Sequence, residues 1–93
     1  MYDRILKQCR ERISTSDYVM TLHAEEAMTD DGLNVYDVES CVLTGEIVAR
    51  QKDRKTGEWK YQIRGEGLAG DPMEVAAKLS ITQKLVIITV YGL

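Results

Sequence analysis

The sequence predicts an α+β protein, with N-terminal helices packed on one face of a four-stranded antiparallel sheet. Three observations predict it. Up to Gly45 the apolar residues recur at the helical spacing of about 3.6, and beyond it they alternate with a period of about two. Glycines stand where the helical patterns stop, at Gly32 and Gly45. All the helical segments precede all but one short extended piece, the segregation expected of α+β rather than α/β chains.

Asp3 to Ile13 reads as the first helix, with Ile5, Leu6, Cys9 and Ile13 on one face and Arg4, Lys7, Arg10, Glu11 and Arg12 on the other. Ser14 to Asp17 ends it, because these side chains compete for backbone hydrogen bonds. Residues 1–17 thus form an extra N-terminal helix ahead of a core over residues 18–93, all in one domain. Tyr18-Val19-Met20 is short, apolar and extended. Thr21 is the cap of a second helix, with Glu25 and Glu26 in its first turns, where the helix dipole favours acids. Asn34 caps a third, and Asp37 is spaced to reach back to it. Two such helices joined by a tight connection make an αα-hairpin.

After Gly45, Ile47 to Arg50 opens a strand, and Asp53 to Gly57 is a polar turn. Trp59, Tyr61 and Ile63 then alternate with Lys60, Gln62 and Arg64, so the first three face the core. Gly65 to Pro72 is the longest loop signal. Met73 to Ser80 alternates again, and Leu85 to Tyr91 carries β-formers on both faces, which predicts a central or doubly covered strand.

The chain has 93 residues, 44% hydrophobic and 29% charged, enough for one modest core and at most a shallow groove. Its formal charge of −3 is unevenly spread. Residues 50–64 hold six basic side chains against two acidic ones, a net +4, which leaves −7 for the remainder. A localised basic face on an acidic body suits a phosphate-bearing ligand held in one place and excludes a protein that coats nucleic acid over its whole surface. The competing role is a solvated hairpin with ordinary lysines. Cys9 and Cys41 both fall in apolar helical patterns and read as reduced core thiols. No secretory signal pattern is visible and no apolar run is long enough to span a bilayer, so a cytoplasmic location is expected.

The ordered pattern Tyr18, Thr21, His23-Ala24, Met28, then Asp31-Gly32-Leu33, Asp37-Val38-Glu39 and Gly45-Glu46-Ile47, closing on Val86 to Tyr91, resembles domain-of-unknown-function family 4258. That family is similar in layout to small bacterial toxins of the RelE, MqsR and BrnT kind. The resemblance implies a RelE-like fold with RNA held on the sheet, messenger-RNA endonuclease activity and an antitoxin partner. It also marks a departure. Many members of the family carry a second histidine in the strand after the glycine loop, where this chain has Glu74.

Metal-independent RNA cleavage needs a base for the 2′-hydroxyl, an acid for the leaving 5′-oxygen, and charge stabilisation of the transition state. Histidine is the side-chain type best suited to moving protons near neutral pH, so the lone one, His23, is a candidate proton acceptor; its competing role is structural. Arg64 is a candidate phosphate clamp beside the glycine-rich loop, or else a surface arginine whose stem covers apolar area. Glu46 opens the first long strand and Tyr91 closes the last; if those strand ends are neighbours, Glu46, Arg64 and Tyr91 form a base, clamp and acid. Arg50, Lys52, Arg54 and Lys60 are the candidate RNA phosphate contacts. No ligand spacing supports a metal site, and no cofactor is expected. Trp59 and Tyr61 alternate away from Lys60 and Arg64 and are expected to enter the core rather than to stack on bases. The expected function is a toxin-like RNA-binding or RNA-cleaving domain controlled by an antitoxin. The alternative is a non-catalytic module of the same fold that self-associates, as a homodimer for example, or binds a partner protein.

Overall fold

The computed structural model describes residues 1–93. Its elements run α1 (Asp3–Ser14), β1 (Tyr18–Met20), α2 (Leu22–Asp30), α3 (Val35–Thr44), β2 (Glu46–Lys52), β3 (Trp59–Glu66), β4 (Pro72–Leu79) and β5 (Leu85–Gly92). The sheet has five strands in the order β1-β5-β4-β3-β2. This corrects the four-stranded antiparallel expectation. Four strands form an antiparallel meander, but β1 joins the edge of β5 in parallel, pairing Tyr18, Val19 and Met20 with Leu85, Val86 and Ile87. Three residues are too few to show a period, so only the distant partner decides that the segment is a strand. With β1 on one side and β4 on the other, β5 is inside the sheet, as its β-forming sequence predicts, but helices cover only one of its faces, and Val86, Ile88 and Tyr91 stay part-exposed.

The helix ends follow local chemistry. The Thr21 hydroxyl accepts from the Ala24 amide at 3.0 Å and donates to the Ile88 carbonyl at 2.8 Å, so one side chain both starts α2 and fastens it to β5. Asn34 and Asp37 form a reciprocal capping box on α3. Gly32 takes φ +67°, the left-handed conformation that closes α2. Gly45 is different: its backbone is extended, and a Cβ there would lie 2.5 Å from the Arg64 carbonyl oxygen. A Cβ on Gly65 would lie 2.4 Å from the Cys41 carbonyl oxygen. The end of α3 and the C-terminal end of β3, at Arg64 and Gly65, therefore meet backbone to backbone. Arg10 of α1 caps the same point, donating to the carbonyls of Val42 at 3.2 Å and Gly45 at 2.8 Å. Gly65 and Glu66 belong to β3, so the expected Gly65–Pro72 loop shortens to residues 67–71.

One apolar cluster joins all three helices to one face of the sheet. It takes Cys9 and Ile13 from α1, Ala24 from α2, Val38, Cys41 and Val42 from α3, and Ile63, Met73, Val75, Ala77, Leu85, Ile87 and Val90 from the strands. Burying each large side chain contributes about 1.5–3 kcal/mol. The alternate residues of the same strands, among them Lys60, Gln62, Arg64, Glu74, Lys78 and Tyr91, occupy the opposite, open face.

Candidate functional site

The register sets a row of side chains across the open face. Glu46 of β2 stands opposite Arg64 of β3, Arg64 opposite Glu74 of β4, and Glu74 opposite Tyr91 of β5. Directly opposed residues in an antiparallel ladder share a face, about 5 Å apart. Sequence alone could not supply this adjacency, which depends on three separate strand pairings.

Glu74 is the hub. It is 4% exposed, and both of its oxygens are engaged. Arg64 reaches Oε1 with Nε at 3.1 Å and Nη2 at 3.0 Å, and the Tyr91 hydroxyl donates to Oε2. The Arg64 side chain remains 57% exposed, so its other guanidinium N–H groups face solvent. The hydrogen bond to Glu74, then burial and the charge of Glu74, raise the Tyr91 pKa from its ordinary value against the opposing pull of Arg64. Tyr91 is therefore a phenol that keeps its proton at neutral pH. Glu46 is exposed, and its carboxylate makes no hydrogen bond or ion pair within the chain.

The remaining candidates divide. His23 lies at the start of α2, exposed and without a side-chain hydrogen bond, and is not part of the row. Lys60 shares the open face with Gln62 and Arg64, while Arg54 is exposed in the β2–β3 turn. Arg50 and Lys52 stand on the other face. The pairing skips Val48 between Ile47 and Ala49, so Arg50 falls opposite Tyr61 and Lys52 opposite Trp59. One extra residue reverses the facing of every side chain beyond it. Of the two aromatics expected in the core, Tyr61 is buried, but Trp59 lies outside it at 36% exposure.

Sequence reasoning misses Glu74 as a site residue. Its one signal is a single carboxylate between Met73 and Val75, in phase with an arginine one strand earlier. No group of three His, Cys, Asp or Glu side chains is placed to hold a metal ion. Burial pushes both cysteine thiols up to about 11, and both are free, so neither is an activated nucleophile. A cleft of about 640 Å³ between the start of α1 and β2 touches the row only through Glu46. The row itself is a shallow surface, better suited to a strand backbone than to an enclosed small molecule.

Fold and site together define a small α+β protein, three helices on one side of a mixed sheet and a charged row on the other. The chain belongs to the family described as Domain of unknown function (DUF4258), whose model matches residues 20–92. The match leaves out α1. No curated protein and no solved structure matches the chain.

Proposed function

We propose that this chain is a toxin-like RNA-binding protein whose open sheet face cleaves messenger RNA without a metal, acts in the cytoplasm, and is held in check by an antitoxin. The reading extends the resemblance to toxins of the RelE, MqsR and BrnT kind. The observation that carries it is the unbroken row Glu46–Arg64–Glu74–Tyr91. In the proposed reaction the exposed guanidinium of Arg64 holds the scissile phosphate and stabilises its added charge. Glu46 accepts the 2′-hydroxyl proton, the 2′-oxygen attacks phosphorus, and Tyr91 gives its proton to the departing 5′-oxygen. The products are a 2′,3′-cyclic phosphate and a 5′-hydroxyl. Glu74 positions the other two groups, fixing the guanidinium and the phenol on one carboxylate. Lys60, on the same face, draws in the neighbouring phosphate.

The test is cleavage of a messenger RNA by purified protein in excess chelator, alongside growth of cells expressing it. Wild type should arrest growth and leave cyclic-phosphate ends. Tyr91→Phe and Arg64→Ala should each slow cleavage by about 10²-fold or more. Folded wild type that neither cleaves RNA nor slows growth sinks the proposal.

One observation favours a second reading, the non-catalytic interaction module. Glu74 already offsets the charge of Arg64 and accepts from Tyr91, so three of the row's four side chains are satisfied without a ligand. That protein would self-associate or hold a partner protein and would not shift RNA in a gel at low salt.

A further inference from the structure

Arg50 and Lys52 are not spare surface cations. The Arg50 guanidinium carbon lies 3.9 Å from the centre of the Trp59 indole and 5.6 Å from the centre of the Tyr2 ring. Lys52 Nζ lies 5.7 Å from the same indole centre. Tyr2 in turn meets buried Tyr61 edge to face at 6.1 Å. The cluster sits on the helix-bearing side of the β2–β3 hairpin, where the Val48 bulge has placed it. An indole left 36% exposed and flanked by two cations is not finishing a core. It is a part-exposed ring with a guanidinium stacked over it, a ring–cation pair on which a base can lie, within the one stretch of the chain that carries a net +4.

Aromatic faces amid cations are how proteins hold single-stranded nucleic acid without reading its sequence. Each base stacks on a ring, and the neighbouring cations take the phosphates. We propose that Trp59, with Arg50 and Lys52, is a base-stacking platform for single-stranded RNA. Arg54 and Lys55, at the exposed hairpin turn, guide the strand around the sheet edge towards Lys60 and Arg64. The inference rests on the RNA reading of the open face and deepens it: the substrate is single-stranded, because a duplex cannot bend around the hairpin edge or lend a base to the indole. An acidic peptide would meet the same charges but has less use for a part-exposed indole beside them.

Trp59 is the only tryptophan, so its fluorescence reports on the platform directly. The probe is a twelve-nucleotide oligouridylate, titrated into the whole protein at low salt, with anisotropy of a labelled oligomer read in parallel. Saturable quenching is expected. Trp59→Ala should weaken binding about tenfold. Lys52→Glu, an exposed change that leaves the indole in place, should weaken it and flatten the salt dependence by about 0.7 in logarithmic slope for each phosphate no longer neutralised. Arg64→Ala, which removes one phosphate contact, should slow cleavage and weaken binding, yet leave the depth of quenching at saturation unchanged. Circular dichroism checks that each variant is folded. Binding without quenching, unaffected by Lys52→Glu, overturns the platform but spares the row. Quenching by polyglutamate and not by oligouridylate overturns it in favour of an acidic protein partner.

Discussion

Glu74 is the one charged residue buried in the molecule. A buried carboxylate is tolerated only when its lone pairs are answered, and here a guanidinium and a phenol answer both oxygens. A second tyrosine shows the same chemistry at the far edge of the sheet. Tyr18 donates to Glu39 of α3, and burial, with the hydrogen bond and charge of Glu39 behind it, raises its pKa from 10.0 to about 12. The folded state therefore holds this proton more tightly than the unfolded chain. The resulting stability is fully present below pH 10 and is lost as the pH climbs towards about 12. Tyr18→Phe should be less stable than wild type at neutral pH, yet lose less stability between those limits. Urea unfolding at pH 8, 10 and 11.5 checks this; parallel losses in both proteins would show that Tyr18 is not the group responsible.

At the scale of elements, the tightest joint is the crossing of α3 over β3. Gly45 and Gly65 admit no side chain there, since each would meet a backbone carbonyl that cannot move alone. Gly65→Ala should cost about 1–3 kcal/mol, at the upper end because the clash is with backbone, measured by the urea midpoint at unchanged slope. A loss below half a kcal/mol would mean that α3 can lift off the strand. Sequence patterning reveals the three helices, the caps of α2 and α3, and the long strands, because each depends on nearby residues; it does not reveal that α2 and α3, expected as a hairpin, pack on different strands, α2 on β5 and α3 on β3. It reads Tyr18–Met20 as extended but does not reveal that the segment joins the sheet beside β5, nor the Val48 bulge, since one skipped pairing leaves the composition unchanged. Of the site, Glu46, Arg64 and Tyr91 can be named singly. Their alignment needs the registers, and Glu74 is hidden because a glutamate in an alternating strand ordinarily faces water.

The whole molecule is electrically lopsided. Between residues 18 and 49 there are seven acids and no lysine or arginine, and those residues include α2, packed beside β5. The basic hairpin lies at the other margin of the sheet. The margin that carries β1 and α2 is thereby poor in positive charge, and the margin that carries the hairpin is rich in it. Across this arrangement α1 is a structural member, though the family match begins after it. It places Cys9 and Ile13 in the common core and ties down α3 through Arg10. A chain cut to residues 18–93 should lose its fixed packing. It would bind a hydrophobic dye and lack near-ultraviolet circular dichroism; sharp, cooperative melting of the cut chain would show that α1 is dispensable.

The skipped pairing at Val48 bears on crowding as well as on facing. Strands at the rims of sheets are templates on which further chains can grow into aggregates. One rim here is kinked by the bulge and studded with arginine and lysine, and the other is three residues long and followed at once by a helix. Neither offers the straight, unguarded ladder on which copies of a chain add edge to edge without limit.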